Sequence, residues 1–481
     1  MMTPRSLNRA RHDPVSRLPA RHGGVLRIRV ACLTRGVMLG FCLGRDRART
    51  LGLSRPLGLG WSAMRLKALI LVSVVVLPAM AVAQTTAGAE RYMATYRVLH
   101  AFTGENDGGG LWDSVVFDKQ GNLYGTTSGG GTYGQGVVFE LSPEIGGNWT
   151  EIVLHSFPSS SEDGQGPFGG VTFGESGTLY GTTQGGGAYG LYGTVFELTP
   201  GVGSWRETVV HSFAGEGDDA CCPWGNLAVD RTGSLFGTGG AAFELSTDAG
   251  VWTEALLHWF PGSNSDGSDP RAGPILDELG NLYGTTAYGG EGNGGIVYEL
   301  QHSLATSTLG PWKERVLHSF PSFLGDGMTP SLGQLAMDNA GNLYGTTGGG
   351  GMNGGAGTIF KLTRVPSTHD GVWAETILYD FGGDDAYGYG PGGGVILDPA
   401  GNLYGTTVYG GSPFCGCGVV YKLAPQPGGK WQYTVLHTFV GSDGAQPDAN
   451  LTIGPDGNLY GTTATGGPGG FGVVFEIQIA P

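Results

Sequence analysis

Carboxylates and histidines are the side chains of this sequence best suited to chemistry, and both recur along the chain. Adjacent acids stand at Asp218-Asp219 and Asp384-Asp385, and glycosidases work with pairs of carboxylates. Spacing alone does not fix the separation of two carboxylates in space, so we interpret these acids as a solvated rim. Histidines share one place in a recurring segment, where the remaining copy has Tyr379: His100, His155, His211, His258, His318 and His437.

A metal site at these histidines would need ligands that cluster. We expect the histidine-bearing segments of different repeats to lie far apart, which argues against metal binding. The sequence therefore predicts packed histidines with one hydrogen bond each. The acidic residue at Glu140 and its equivalents also repeats, so we interpret it as structural.

Motifs for nucleophilic or cofactor chemistry are weak in this chain. It has no G-x-S-x-G and no H-E-x-x-H. G-x-G-x-x-G matches mean little among 93 glycines, and no βαβ pattern surrounds them. We expect no cofactor, and we identify no catalytic residue.

Cysteine usage is equally uninformative beyond residue 83, where it is limited to Cys221-Cys222 and Cys415-x-Cys417. Four cysteines form no disulfide framework, and neither pair has the partner pair of a zinc site. A bridge between the two pairs is not expected, and a strained local bridge between adjacent cysteines stays open.

Composition indicates a β-rich protein with many tight turns. Of 481 residues, 14% are charged and 40% hydrophobic. The glycines lack the period of collagen, the apolar residues are too many for a disordered chain, and so much glycine disfavours long helices.

The first 83 residues read as a leader. Residues 1–63 hold twelve Arg and two Asp, a charge of +10, and we interpret them as an over-extended gene start or a disordered extension. Residues 64–83 have the basic start, apolar stretch and Ala-Val-Ala end of a signal peptide. Their apolar stretch of 16 residues is short for a membrane span. A linker, 84–94, follows.

The charge of residues 84–481 limits the partners. Twelve basic and 39 acidic residues give a net charge of −27, which disfavours nucleic acid and anionic membranes. We expect a secreted, periplasmic or cell-surface protein with no stable membrane insertion after signal cleavage. No apolar tail closes the sequence, so we expect no C-terminal anchor.

One block recurs seven times, on average every 56 residues. It reads Leu-Tyr-Gly-Thr-Thr, then a glycine-rich stretch, then a run such as Val138–Leu141, then a segment such as Trp149–Phe157. The aromatic residue of the block stands at Tyr124, Tyr180, Phe236, Tyr283, Tyr344, Tyr404 and Tyr460. A fourth apolar run ending in Asp, as at Asp118, precedes most copies.

These short β-branched and apolar runs, bounded by Gly, Pro, Asn and Asp, are typical of strands. Four strands in each of seven repeats predict an all-β fold, a seven-bladed β-propeller over residues 95–478. A β-solenoid is the alternative, but its coils are usually shorter. The glycine inside Leu-Tyr-Gly predicts close approach of a neighbouring sheet.

The order of the runs predicts how the ring closes. The repeats begin with a lone outer strand, Arg97–Phe102, and end with a third strand, Val473–Ile477. We expect the N-terminal strand to complete the C-terminal blade and so to remove an open edge.

The loops divide between two faces of the disc. Turns such as 118–122 superficially resemble calcium loops, but lack their ligand pattern, so we interpret them as Asp-Gly turns. The other connections share one face, where we expect the ligand to bind; blade three lacks one of them, since Gly239-Gly240 leads directly into Ala241. The candidate ligand-face residues are Tyr133, Asp163, Tyr189, Tyr192, Tyr288, Asp326, Asp384, Asp385, Tyr409 and Asp443.

The repeated Gly-Asn-Leu-Tyr-Gly-Thr-Thr, Gly-Gly, Val-Phe-Glu-Leu and Val-Leu-His-Ser-Phe resemble the GloVer tandem repeat of exported bacterial choice-of-anchor proteins. The resemblance covers about residues 95–478. It implies export and, in many members, a C-terminal anchoring segment, which we do not expect in this sequence. It implies no activity and no catalytic residues.

Three hypotheses about function follow. The first is an exported binding module whose partner is an extracellular glycan, another polymer or a protein. The second is a hydrolase or lyase acting on a polymer through carboxylates near the channel mouth, which requires a few acids with raised pKa values in one pocket. The third is a structural surface protein.

Overall fold

A computed structural model describes residues 94–159, 162–215, 219–302, 312–321, 325–330, 333–365, 371–383 and 386–479. These residues belong to one compact unit, Thr85–Pro481. The expected N-terminal extension, the signal peptide, and the linker up to residue 93 lie outside the described residues, as do Asp218, Asp384 and Asp385. No helix in the described part is long and apolar enough to cross a membrane.

Seven four-stranded antiparallel sheets form the seven blades of a β-propeller, as the sequence predicts. From blade one to blade seven, the inner strands are Val116–Phe117, Val171–Phe173, Ala228–Val229, Ile275–Leu276, Ala336–Met337, Ile396–Leu397 and Thr452–Ile453. The second strands are Leu123–Thr127, Leu179–Thr183, Leu235–Thr238, Leu282–Thr286, Leu343–Thr347, Leu403–Thr407 and Leu459–Thr463.

The third strands are Val137–Pro143, Thr194–Pro200, Ala241–Asp248, Ile296–Gln301, Thr358–Arg364, Val419–Gln426 and Val473–Gln478. The outer strands, again from blade one, are Trp149–Ser156, Trp205–Ser212, Val251–Trp259, Lys313–Ser319, Trp373–Asp380, Lys430–Thr438 and, for blade seven, Thr95–Ala101. Within the described ranges, the one helical element is a 3-10 turn, Glu175–Gly177.

The ring closes through the predicted pairing of the two ends. Thr95–Ala101 pairs antiparallel with Val473–Gln478, from Thr95 opposite Gln478 to Ala101 opposite Val473. The Arg97 guanidinium adds an ion pair to Glu476 at 3.1 Å. Blade seven is therefore built from both extremities of the propeller, and its third strand has no open edge.

Buried aromatic rings fill the spaces between blades. Phe102, which follows the outer strand of blade seven, packs on Phe139 of blade one with ring centroids 5.1 Å apart. The same contact joins Phe157 to Phe196 and Phe213 to Phe243. These rings are fully buried, so the hydrophobic core runs between sheets around the whole ring.

The glycine of Leu-Tyr-Gly is required for a different reason from the predicted one. Gly125 pairs with Phe139 on the third strand of its own blade, and a Cβ on Gly125 would lie 2.6 Å from the Phe139 ring. Gly181 has the same relation to Phe196, at 2.4 Å. An aromatic ring of the same blade, and not a neighbouring sheet, therefore requires glycine here.

The turns between inner and second strands are Asp-centred hydrogen-bond networks, as the sequence predicts. Asp118 accepts hydrogen bonds from the Gln120 and Asn122 amides, the Asn122 side chain and the Tyr124 hydroxyl. Asp277, Asp338 and Asp398 repeat this arrangement. Both carboxylate oxygens are thus used within the turn.

The loops on the opposite face pair with each other within each blade. Short two-stranded sheets join Gly164–Gln165 to Gly185–Gly186, Gly267–Ser268 to Tyr288–Gly289, and Gly327–Met328 to Gly349–Gly350. Single bridges do the same at Gly109 with Gly129, Tyr389 with Tyr409, and Ala445 with Thr465. In blade three the second connection is only Gly239-Gly240, and Gly240 donates to the Cys221 carbonyl.

Candidate functional site

A depression lies where the loops of this face enter the inner strands. Six of the seven blades contribute to its wall, so it sits at the mouth of the central channel. We call it the channel mouth. Its lining residues are Trp112, Asp113, Phe168, Trp224, Gly225, Asn226, Arg271, Ala272, Gly273, Gln334, Asp448, Ala449 and Asn450.

The blades differ from one another at this mouth. Five residues before the end of the inner strand stand Trp112, Phe168 and Trp224 in blades one to three, but Arg271, Gly392 and Asp448 in blades four, six and seven. One half of the mouth is therefore aromatic, and the other half is polar or open.

The three aromatic rings form a continuous arc. Ring centroids are 6.0 Å apart between Trp112 and Phe168, and 4.8 Å apart between Phe168 and Trp224. Arg271 extends the arc, with its guanidinium carbon 5.6 Å from the centre of the Trp224 ring. Trp112 is 41% exposed, and its indole N–H donates to the Ser128 hydroxyl at 3.0 Å.

Polar groups with fixed orientation surround the arc. Asp113 Oδ1 accepts hydrogen bonds from the Ser114 amide at 2.6 Å and from Asn226 Nδ2 at 3.1 Å. This second bond crosses blade two, where Gly170 leaves room for it: a Cβ there would lie 2.9 Å from Asn226 Oδ1. Asn226 Oδ1 itself is buried and has no hydrogen-bond partner among the described residues.

Two carboxyl groups in the mouth have raised pKa values. Burial raises the pKa of Asp448 to about 6. Burial also raises the pKa of Asp113, against the opposing effect of its hydrogen bonds from Ser114, Gly170 and Asn226. The mouth therefore combines an aromatic wall with two acids whose pKa values are raised.

The tyrosines expected at the ligand face lie on the rim, away from this mouth. Tyr133, Tyr189, Tyr288 and Tyr409 are 44–60% exposed, each on the loop of its own blade. Tyr409 stacks on Tyr389 with ring centroids 5.5 Å apart. Tyr192 is half-buried and packs with the core cluster of blades two and three. These tyrosines do not line the channel mouth.

The solvated acidic rim expected at Asp219 is wrong, because its side chain is only 19% exposed and lies 3.2 Å from His211 Nε2. The described acids of the candidate ligand face have similar surroundings. Asp163, Asp326 and Asp443 have side chains only 15%, 17% and 23% exposed, and each contacts a histidine. The distances from histidine Nε2 to the carboxylate are 3.2, 3.4 and 3.1 Å for His155, His318 and His437. His155 and His437 therefore have the hydrogen bond expected for the histidines, whereas His318 lies near Asp326 without forming one.

The outer strands of neighbouring blades approach more closely than the sequence led us to expect. A glutamate two residues after the tryptophan that opens the outer strand reaches the His-Asp pair of the preceding blade. His211 Nε2 lies 3.2 Å from Asp219 and 3.6 Å from Glu254 of the next blade. We call such a set a junction cluster. Among the residues that the structure describes, four such clusters have one histidine nitrogen and two carboxylate oxygens within 4.8 Å of one another: His155-Asp163-Glu207, His211-Asp219-Glu254, His258-Asp266-Glu314 and His318-Asp326-Glu375.

The junction glutamates carry raised pKa values. Burial first, and the charge of Asp266 second, raise the pKa of Glu314 to about 7. Burial first, and then the hydrogen bond to Asp219 and the charge of Asp219, raise the pKa of Glu254 to about 8. For Glu375 burial is again the main cause of a pKa of about 7, with the Asp326 charge adding to it and His318 opposing it. Carboxylates in this position are costly to ionise.

The cysteines divide into a bonded and a free pair. Cys415 and Cys417 form a disulfide within the loop of blade six. Cys221 and Cys222 are free thiols, and burial raises the pKa of Cys222 to about 12.

Sequence reasoning missed the channel mouth because its residues do not repeat. The signal was available in the comparison of the seven segments before the inner strands, where the aromatic residues occur in consecutive repeats. It also missed the junction glutamates, whose Trp-x-Glu spacing is regular, because their partner lies on the preceding blade.

Comparison with known proteins gives resemblance of fold at low sequence identity. A search of curated proteins finds no match to this sequence. A solved oxidoreductase (glucose dehydrogenase) of Thermus thermophilus is 14% identical with a TM-score of 0.36, covering 80% of this chain and 100% of that one. The extracellular domain of a hybrid two-component system of B. thetaiotaomicron is 12% identical, with a TM-score of 0.43 and coverage of 80% and 41%.

A fungal alcohol oxidase of the AA5 family, solved with copper, is 14% identical with a TM-score of 0.49, covering 81% of this chain and 77% of that one. None of these likenesses bears on the chemistry of this chain. The Gloeobacter/Verrucomicrobia repeat, in contrast, matches residues 89–241, 238–372 and 313–481, nearly the entire propeller. The chain belongs to the Gloeobacter/Verrucomicrobia repeat family.

Proposed function

We propose that this protein is an exported carbohydrate-binding propeller, and that its channel mouth receives a sugar ring of an extracellular polymer. The observation that supports this most is the arc of Trp112, Phe168 and Trp224 on three consecutive blades. Aromatic faces suit the C–H faces of sugars, and a few fixed polar groups around an apolar wall are typical of ligand sites.

The polar half of the mouth supplies hydrogen bonds of the kind sugar hydroxyls need. Asp448, which belongs to this half, is half-buried at the mouth, and its carboxyl group can form hydrogen bonds with hydroxyl groups. Arg271 is neutralised by Asp269, with 2.8 Å between its Nη2 and the carboxylate. A neutral or weakly charged sugar therefore fits this wall better than a strongly anionic one.

Binding to an array of bacterial, algal and plant oligosaccharides, followed by calorimetry with the best hit, tests the proposal. We expect saturable binding that falls at least about tenfold in Trp224→Ala, because a stacked aromatic side chain is worth about 1.4 kcal/mol or more at such a site. Tyr133→Ala, which removes an exposed rim aromatic, is the matched control and should bind normally. An array without hits, or equal binding by both variants, would refute the proposal.

A second candidate function is cleavage of the same class of polymer. It is favoured by one observation: Asp113 and Asp448 share the mouth, and both have raised pKa values. A carboxyl group with a pKa near 6 is suited to general acid catalysis near neutral pH. Asp448 would then donate the proton to the leaving oxygen, and Asp113 would act as the second carboxylate.

Release of reducing or unsaturated ends from the polysaccharide that binds best separates the two candidates. If the protein is an enzyme, the unaltered chain releases these ends from the polysaccharide. Asp448→Asn then still binds the polysaccharide but no longer releases them. Tight binding without any release identifies the protein as a binding module only.

A further inference from the structure

The four junction clusters are the strongest set of groups that the proposed function does not use. Each joins three separate segments: the histidine near the end of an outer strand, the aspartate of the loop that follows, and the glutamate of the next outer strand. In the cluster of blades four and five, His318 Nε2 lies 3.4 Å from Asp326 and 3.8 Å from Glu375. The three side chains are directed at one point between two blades.

The aspartates are held in place by the backbone. One carboxylate oxygen of Asp163, Asp266 and Asp326 accepts a hydrogen bond from the next amide at 2.6–2.7 Å. The other oxygen is turned toward the histidine. Asp163 lies 3.2 Å from His155 Nε2, and Asp266 lies 3.1 Å from His258 Nε2. The orientation of these ligands is therefore fixed without any contribution from the glutamate.

Charge is unbalanced at each cluster. Two carboxylates face one imidazole, which contributes at most one positive charge. The side chains of Glu254 and Glu375 are only 10% and 14% exposed, so water compensates little of the remaining negative charge. A bound proton or a bound cation must supply the missing positive charge.

Several polar atoms of the clusters also lack partners. Glu207 Oε1, Glu314 Oε1, Glu375 Oε1 and His318 Nε2 are buried and form no hydrogen bond with the described residues. Buried polar atoms are normally satisfied, and the same glutamate oxygen is unsatisfied in three of the four clusters. A metal ion would give these atoms a ligand role.

We propose that each of the four junction clusters binds a divalent transition-metal ion, with one imidazole nitrogen and two carboxylates as ligands. This donor set suits Zn²⁺ or Mn²⁺. Calcium is a poorer fit because it prefers six to eight oxygen ligands. Each ion would connect two neighbouring blades and so stabilise the closed ring.

Two other junctions provide a comparison within the same molecule. Tyr379 stacks on Tyr433 with centroids 4.2 Å apart, and His437 stacks on Tyr96 at 3.8 Å. Tyr433 and Tyr96 stand where the other blades have the junction glutamate. These two junctions are joined by stacked rings instead, and we expect no metal there.

Metal content of the full, tag-free chain tests the proposal. The protein is stripped with EDTA, dialysed against excess ZnCl₂, freed of unbound metal, and assayed by mass spectrometry. We expect about four zinc ions per chain, from the four clusters, and about one fewer in Glu375→Gln. Tyr433→Phe, at the corresponding place of blade six, should leave the count unchanged.

Cys221 and Cys222 are free thiols, and cysteine thiolates are also zinc ligands, so Cys221→Ser/Cys222→Ser is the second control and should retain the full count. Far-UV circular dichroism establishes that each variant is folded, and Asp326→Asn repeats the test if Glu375→Gln is not. Less than one zinc per chain, or a count that falls in the cysteine variant and not in the cluster variants, would overturn the proposal.

Discussion

One position in each blade, five residues before the end of the inner strand, distinguishes residues that packing requires from residues that a ligand would require. At many core positions the seven blades repeat the same side chains, since each must fill the same space between sheets. At this position they have Trp112, Phe168, Trp224, Arg271, Gly392 and Asp448. Packing in a symmetric ring does not require such differences, which suggests that an asymmetric ligand does.

Asp448 gives a pH-dependence that can be measured. Its folded-state pKa of about 6 lies above its usual value of about 4. The folded chain therefore holds this proton where the unfolded chain has lost it, and stability falls as the pH rises from about 4 to about 6. Because Asp448 is half-buried, we expect a loss on the order of 1 kcal/mol.

Thermal or urea unfolding of the unaltered chain and of Asp448→Asn between pH 4 and pH 7 checks this. The difference in stability between the two proteins should grow in favour of the variant up to about pH 6 and stay constant above it. Parallel profiles across the whole range would show that the carboxyl group titrates normally. The comparison cancels the titration of the junction glutamates, which both proteins share.

At the scale of the strand, the close packing around the glycine of Leu-Tyr-Gly predicts the effect of a larger residue on stability. A Cβ at Gly181 would lie 2.4 Å from the Phe196 ring, whereas at Gly185 the nearest atom would be 3.8 Å away. Overpacking a filled core costs about 1–3 kcal/mol. Gly181→Ala should therefore lower the unfolding free energy by about that amount, and Gly185→Ala should change it by less than about 0.5 kcal/mol.

Urea unfolding followed by tryptophan fluorescence measures both variants. Equal stability would mean that the aromatic ring moves aside at no cost. The glycine would then have to be explained by the approach of some other part of the chain.

The strands and their order could be predicted because they follow from local pattern. Short apolar runs, turn residues and a period of 56 are properties of single repeats, and they also set the ring closure. The Phe196 ring over Gly181 and Glu254 beside His211 could not be derived in this way. Each depends on the register between strands or on the distance between blades, which a repeat does not encode by itself.

The candidate ligand face shows the same limit. The sequence predicted ligand binding among this group of loops, and it favoured their tyrosines and acids. The aspartates Asp163, Asp326 and Asp443 are instead engaged with histidines. The channel mouth lies at the centre of this face, where residues of six blades meet, whereas the exposed tyrosines stand on the rim.

At the scale of the whole molecule, stability depends on the closure of the ring. Each blade buries its two faces against its neighbours, so a blade at an open end would lose one of them. The N-terminal strand prevents this by pairing with Val473–Gln478. It also brings the buried side chains Leu99 and Phe102 into the last blade and its junction with blade one.

Deleting residues 92–103 should therefore destabilise the protein by about 5 kcal/mol or more, since removing one large buried side chain alone costs about 2–5 kcal/mol. Removing only residues 1–91, which leaves this strand in place, is the control. If the deletion aggregates, Phe102→Ala measured against Thr95→Ala makes the same comparison. Thr95 is exposed at the start of the N-terminal strand, and Phe102, directly after its end, is fully buried. Unfolding free energies are measured by urea titration. Equal values for the deletion and its control, or for the two point variants, would mean that the ring holds together without its closing strand.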